Sequence, residues 1–191
     1  LTLASPVLYV VICGASNAAG SYDFIADTID DGWRVCAITT PMGARFVDVA
    51  HLADLTGHPV RSAYKNPADP DVLPRADACV VAPASFNTVN KLANGICDTL
   101  AAGVVCEAIG DRTPIIVAPW LNRALAGHGA YARSIACLRA EGVCVVLTEQ
   151  TRPDRPRHDP GGSFPWAAVL AEVRGLPAAR AGKVTGPPIS R

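Results

Sequence analysis

Apolar residues fall along this chain in short unbroken runs, separated by polar turns and by stretches with helical spacing. Val7 to Cys13 is continuous and rich in β-branched residues, the pattern of a strand buried on both faces. The small-residue turn Gly14 to Gly20 follows, then a helix with Phe24, Ile25 and Ile29 on one side, ended by Gly32. Trp33 to Thr39 predicts a second strand that closes on Thr39, Thr40 and Pro41. Ala44 to Leu55 predicts a helix, and Pro59 to Arg61 a short third strand. After the proline-rich loop Asn66 to Pro74, the run Ala78 to Ala82 is again strand-like. Pro83 is expected to stop its pairing, because proline has no N–H to donate. From Val89, the residues Leu92, Ala93, Ile96, Cys97 and Leu100 recur at helical spacing, and the pattern runs on to Ala108 with a break near Gly103. Pro114 to Ala118 predicts a strand, Tyr131 to Ala140 a helix stopped by Gly142, and Val143 to Leu147 the last strand. Thr148 to Ser163 reads as a loop or flap and Phe164 to Val173 as a closing helix.

Strands alternating with helices predict an α/β fold: a parallel sheet covered on both faces. Right-handed crossovers reverse the strand order beside the first strand. The turns after Cys13 and after Ala82 therefore meet at the switch point, where open α/β sheets take their ligands. The 191 residues suffice for one domain, expected over 1–174. Residues 175–191, rich in Pro, Gly, Ala and Arg, are expected to form a loosely held tail.

Composition narrows the function. Half the residues are hydrophobic and 18% are charged, which excludes disorder. Lys plus Arg equals Asp plus Glu, 17 each, so nothing marks a nucleic-acid or membrane-surface binder, while a neutral surface favours self-association. Seven cysteines, odd in number and without CxxC spacing, read as reduced thiols of a cytoplasmic protein and argue against a metal site. No apolar run reaches membrane-spanning length, and the start of the chain lacks a basic segment, so neither a membrane span nor a signal peptide is expected.

The candidate chemistry lies in the turns. Ala84, Ser85, Phe86, Asn87 and Thr88 put hydroxyls, an amide and free N–H groups at a helix start, which suits a phosphate or another oxygen-rich ligand. Taken alone, the turn reads first as an ordinary capped helix. The turn after Val7–Cys13 is a phosphate-type turn without the GxGxxG spacing. Thr39 and Thr40 add hydroxyls on the ligand-binding edge, or simply turn chemistry. Pro119, Trp120, Leu121 and Asn122 close another strand on the same edge. His51 and His58 have no partner at metal-ligand spacing and are given surface or packing roles.

Together these residues resemble the flavoprotein superfamily of cysteine decarboxylases, which includes phosphopantothenoylcysteine decarboxylases and lantibiotic peptidyl-cysteine decarboxylases. The family's Pro-Ala-Ser-Ala-Asn-Thr turn stands here as Pro83, Ala84, Ser85, Phe86, Asn87 and Thr88, departing only at Phe86. Gly95, Asp98 and Leu100 match its continuation, and Pro119-Trp120-Leu121-Asn122 is similar to its Pro-x-Met-Asn motif. The resemblance implies a Rossmann-like three-layer αβα sandwich that binds FMN, as a homotrimer or a dodecamer of trimers. It implies that Gly14, Ala15 and Ser16 approach the phosphate or ribityl chain, that Thr39 and Thr40 supply hydroxyls, and that Ser85, Phe86, Asn87 and Thr88 hold phosphate and flavin. Trp120 joins the cofactor set by its place in the second motif. Asn122 is the candidate for holding a substrate carboxylate, although capping the following helix is equally open.

The departures bear on catalysis. The family's catalytic His falls at Asp69 by ungapped counting, the Met of the second motif is Leu121, the Trp that follows it is Ala126, and the flap Thr148–Ser163 has no Cys. His128 is the candidate replacement for proton transfer. His158, with Arg152, Arg155 and Arg157, is a candidate anion-binding flap; a solvated loop is the plainer reading of both histidines. The expected function is an FMN-binding, decarboxylase-like enzyme acting on a small or peptidyl carboxylate. The alternatives are a flavin prenyltransferase and a catalytically silent flavin-binding subunit.

Overall fold

The structure, a computed structural model, describes residues 5–66, 68–70, 72–149, 151 and 163–176. Its centre is a parallel five-stranded sheet in the order β2-β1-β3-β4-β5. The strands are β1 (Val7–Ile12), β2 (Arg34–Thr39), β3 (Ala78–Ala84), β4 (Ile115–Pro119) and the short β5 (Cys144–Val145). Every residue of β1, β3 and β4 is buried, as their unbroken apolar runs require.

Side-chain alternation divides the interior into two layers. Val7, Tyr9 and Val11 of β1 face α3 (Phe86–Ala93), α4 (Leu100–Gly110) and α6 (Gly129–Ala140), where Val89, Val105, Tyr131 and Ile135 are buried. Leu8, Val10 and Ile12 face the other way, toward α1 (Ser21–Asp30), α2 (Val49–Thr56) and α7 (Trp166–Arg174), which contribute Phe24, Ile25, Leu52, Val169 and Val173. A buried Leu, Ile or Phe contributes roughly 1.5–3 kcal/mol, so these two layers, rather than surface pairs such as Arg75–Asp111, hold the sandwich. This is the three-layer αβα architecture expected from the sequence.

Four local expectations are corrected. Strand β3 does not stop at Pro83 but runs to Ala84, through a cis Ala82–Pro83 bond and a register shift against β4 between Val81 and Ala84. Proline lacks a donor but keeps its acceptor: the Cys13 N–H donates to the Pro83 carbonyl at 3.2 Å, and the Trp120 N–H to the Ala84 carbonyl at 2.8 Å. The helix expected over 44–55 is a 3-10 turn, Gly43–Arg45, followed by α2, because Asp48 accepts the Ala50 and His51 N–H groups and starts a new helix. The expected third strand is a single bridge, Ile38 to Arg61. The helical break lies at Gly95, with φ of 65°, and not near Gly103. Thr99 then caps α4, its hydroxyl accepting the Ala102 N–H, while Ile96 and Cys97 are exposed in the connection. Gly103 continues α4 under the Tyr64 hydroxyl, which a Cβ there would push aside.

Between β4 and α6 lies a four-residue helix, α5 (Arg123–Ala126). The expected last strand, 143–147, narrows to β5, with Val146 still donating to the Val117 carbonyl. The flap expected over 148–163 and the tail over 175–191 lie largely outside the described residues. Among the described residues no helix is long and apolar enough to cross a membrane.

Candidate functional site

The strand order reverses between β1 and β3, and at the C-terminal ends of those strands a groove of about 430 Å3 opens. Three stretches wall it: Gly14 after β1, Thr40 to Met42 after β2, and Ser85, Asn87 and Thr88 at the start of α3. Lys91, Thr99 and Ala102 extend it along α3 and α4.

The two turns that sequence reasoning brought together are physically joined. Besides the backbone bond from Cys13 to Pro83, the Cys13 thiol donates to Thr88 Oγ1 at 3.2 Å. Thr88 Oγ1 lies 3.0 Å from Ser85 Oγ, and the Thr88 N–H donates to that same Ser85 oxygen at 3.3 Å. Burial pushes the Cys13 thiol up, with the Thr88 and Ser85 hydrogen bonds opposing, so the thiol stays a neutral donor at neutral pH. Ser85 is the N-cap of α3, so the N–H groups of Phe86 and Asn87 have no intrahelical acceptor. They sit at the positive end of the helix, an arrangement that accepts an anion without a basic patch.

Glycine allows close approaches at two points of the wall. A Cβ at Gly14 would lie 2.6 Å from Met42 Cγ and 3.1 Å from Phe46 Cε2. A Cβ at Gly43 would run into the carbonyl of Ile12, and the Gly43 N–H donates to Thr40 Oγ1 at 2.9 Å. The loop after β2 is thus laid directly on the end of β1.

Of the residues singled out from the sequence, Gly14, Thr40, Ser85, Asn87 and Thr88 line the groove together. Thr39 is fully buried at the end of β2, and its hydroxyl has no hydrogen-bond partner among the described residues. Ala15 packs into the layer under α1, and Ser16 is exposed beside it. Phe86 points its ring toward α6, with centroids 5.7 Å from His128 and 6.4 Å from Tyr131. Trp120 is buried on the opposite face of the sheet, edge-on to Phe164 at 5.6 Å. Asn122 and His128 lie outside the groove lining and serve as helix caps: Asn122 Oδ1 accepts the Leu125 N–H, and His128 Nδ1 accepts the Ala130 N–H. Asp69 caps its own exposed loop by accepting the Asn66 N–H. His158 and its neighbouring arginines lie outside the described residues.

Sequence reasoning missed Lys91, the cation in the groove lining, whose ammonium is 2.7 Å from Asp98 Oδ2. Its signal was the four-residue spacing from Asn87, which puts both on one face of α3. It also missed Met42, Thr99 and Ala102. The first lies in a loop without periodicity, and the other two face the groove only because the chain turns at Gly95. Among the described residues no cluster of His, Cys, Asp or Glu has the makings of a metal site.

Comparison with known proteins agrees with this architecture. The family model described as Flavoprotein matches residues 3–174. The Coenzyme A biosynthesis bifunctional protein CoaBC of Bacillus subtilis is 31% identical over 124 residues, covering 62% of this chain and 30% of that protein. The chain thus spans about a third of the length of the CoaBC relatives it matches. Phosphopantothenoylcysteine decarboxylase of Mus musculus is 36% identical over 83 residues, 41% of this chain and 40% of that enzyme. Among solved structures, the FMN-dependent cysteine decarboxylase TvaF from thioviridamide biosynthesis superposes with a TM-score of 0.65 at 28% identity, covering 74% of this chain and 89% of that one. A PPC decarboxylase mutant complexed with pantothenoylaminoethenethiol gives a TM-score of 0.68 at 22% identity, over 89% and 97% of the two chains, and supports the fold alone.

Proposed function

Because this chain belongs to the flavoprotein family, we propose that it binds FMN in the groove between β1 and β3 and acts, in the manner of a decarboxylase, on a small or peptidyl carboxylate. The single observation that carries the reading is the convergence of the Gly14 turn and the Ser85–Thr88 turn on that groove. The residues present fit the group. The groove volume lies in the range of cofactor sites, and glycine keeps its Gly14 wall open. Its polar lining consists mainly of hydroxyl and amide groups, which hold a phosphate or a ribityl chain. Lys91 adds one positive charge, shared with Asp98.

When bound, FMN supplies an acceptor for the two electrons released in oxidative decarboxylation. The protein's part is to bind and orient. The Phe86 and Asn87 N–H groups and the Ser85 and Thr88 hydroxyls fix the anionic end of the cofactor, while the thiol of Cys13 holds Thr88 in place from beneath. Met42 and Ala102 present apolar surface to the same groove. The seven cysteines are free thiols, which supports a reducing, cytoplasmic setting. Residues through 174 form the flavin-binding domain in this reading.

A second reading, flavin binding without turnover, is supported by Asp69 standing where the family's His is expected and by the use of His128 Nδ1 as a helix cap. Carbon dioxide release from a cysteine-terminated peptide separates the two: turnover refutes the silent reading.

The absorbance spectrum of the purified protein, with mass identification of the released chromophore, tests the cofactor assignment. Asn87→Ala should weaken FMN binding about tenfold, the loss expected for one hydrogen bond to a charged ligand. The fold should be unchanged, since the Asn87 side chain makes no hydrogen bond to the described residues. Full occupancy in the variant would remove Asn87 from the site, and a colourless protein that takes up no added FMN would refute the reading.

A further inference from the structure

The connection between α3 and α4, residues 94–99, ends on the groove: Thr99 lines it and caps α4, and Asp98 pairs with Lys91. Within the connection, Cys97 is exposed, and its thiol donates to the Gly95 carbonyl over a long 3.6 Å. Tyr64 fixes the backbone of the same residue. Its hydroxyl donates to the Cys97 carbonyl at 3.1 Å and lies over Gly103 of α4. Cys106 stands three residues beyond Gly103, on the same face of the helix. The fold therefore brings Cys97 alongside the turn of α4 that carries Cys106.

The two thiols also meet each other. Cys106 is pushed up to about 12, first by burial, then by a side-chain hydrogen bond to Cys97 and by the charges of Cys97 and Glu107. That bond keeps the proton on Cys106 and leaves the Cys97 sulfur as the exposed member of the pair. The ionisable neighbours of the Tyr64 hydroxyl are Cys97, Glu107, Cys106 and Asp98, so both cysteines gather about one atom independently of their own contact. The other cysteines are placed differently. Cys13, Cys36 and Cys79 are buried. The Cys137 thiol donates to the Ala93 carbonyl at 3.3 Å, and that of Cys144 to Glu172 Oε2 at 3.5 Å.

We infer that Cys97 and Cys106 are a redox-active dithiol, at which a hydroperoxide forms an intramolecular disulfide that ties the groove-side connection to α4. The exposed Cys97 sulfur, as thiolate, attacks the outer oxygen of the peroxide. An S–O bond forms, the O–O bond breaks, and the departing alkoxide takes up the proton that Cys97 released. The Cys106 sulfur then attacks the Cys97 sulfenic acid. The S–S bond forms, the S–O bond breaks, and the leaving hydroxide takes the Cys106 proton as water. Two electrons pass from the sulfurs to the peroxide. A disulfide needs its sulfurs at about 2.05 Å. Cys97 can close the gap because it lies between helices, α3 ending at Ala93 and α4 beginning at Leu100, and gives up the long bond to Gly95. In a reducing compartment such a bridge is transient, and a thiol reopens it by exchange.

The test treats the purified full chain with hydrogen peroxide, alkylates the remaining thiols and digests with trypsin. Cleavage after Lys91 and after Arg112 releases one peptide whose cysteines are Cys97 and Cys106. The bridge is expected as that peptide without alkyl groups and lighter than its dithiol form by the mass of two hydrogens, with dithiothreitol restoring the dithiol. Amide hydrogen exchange over 95–99 should slow severalfold in the oxidised protein. Cys97→Ser should abolish both effects, and Cys106→Ser should leave a sulfenic acid on Cys97 that dimedone traps. Cys137→Ser, also at an exposed position, should change neither. If Cys106→Ser fails to fold, Cys97→Ser carries the test, since its side chain is exposed. Full alkylation of Cys97 and Cys106 under peroxide that oxidises Cys137, a bridge to another cysteine or to a second copy, or a bridge with unchanged exchange would each overturn the inference. Nothing in it depends on what the groove binds, so a colourless protein that still forms the bridge refutes the cofactor assignment alone.

Discussion

Gly43→Ala tests whether the loop after β2 is a wall of the groove held by backbone contact. The new Cβ would fall inside contact distance of the Ile12 carbonyl oxygen, and 3.1 Å from both the Ile12 carbonyl carbon and Thr40 Oγ1. The obstacle is backbone at the end of a central strand, buried in β1, so it does not swing aside as a side-chain tip does. The loop must retreat instead, and the Gly43 N–H loses Thr40 Oγ1. Overpacking of this kind costs about 1–3 kcal/mol, and the lost hydrogen bond about 0.5–1.5 kcal/mol. Together they predict about 2–4 kcal/mol, or a fall in Tm of about 4–16 °C for a chain of this size. Urea unfolding of the flavin-free protein isolates this loss from any ligand stabilisation. Flavin uptake should fall in parallel, because Thr40, Pro41 and Met42 move with the loop. Gly110→Ala is the control: its added methyl meets nothing within 4 Å, and it should be neutral or slightly stabilising. A Gly43→Ala protein as stable as the parent and still taking up flavin would refute the argument.

Two further outcomes follow from the same structure. Burial pushes the Cys79 thiol from its ordinary 9.0 up to about 12, so above pH 9 the unfolded chain gives up this proton first. Stability should be fully present below pH 9 and decline toward pH 12, by up to ~1.4 kcal/mol per pH unit from this group. Urea unfolding at pH 8, 9 and 10 should show a shallower decline in Cys79→Ala, and parallel slopes would exclude Cys79 as the source. Met42 and Phe46, 53% and 44% exposed, lie on and beside the groove wall. We propose that a second copy covers them in a homotrimer, so light scattering should give three times the mass of one chain, and a monomer at micromolar concentration would sink the proposal.

The sheet was legible because burial on both faces leaves a one-dimensional mark: no polar residue interrupts Val7 to Cys13 or Ile115 to Ala118. The meeting of the two turns was legible too, since handedness and strand order place them without reference to any side chain. Where a donor mattered less than an acceptor, the reading failed. Pro83 looked like an end, yet the strand there needs only its carbonyl. Gly103 and Gly95 are indistinguishable in the sequence; one is small to admit Tyr64, the other turns the chain with a positive φ. Phe86, Trp120 and Asn122 were placed by position in a motif and His128 by its nearness to Asn122 in the chain, which fixes a Cα and leaves the side chain to its neighbours. The first two found aromatic partners away from the groove, and the last two found helix N–H groups to cap.

The groove draws on chain segments as far apart as Gly14 and Ala102, and at its floor Cys13 is tied to Pro83 and Thr88. A molecule seated there acts as a removable crosslink across a loop of more than seventy residues. Closing so long a loop is entropically costly in the unfolded chain, and only the folded chain presents both ends of the clasp. Withholding the coenzyme is therefore expected to leave a protein that unfolds at lower denaturant than the loaded one.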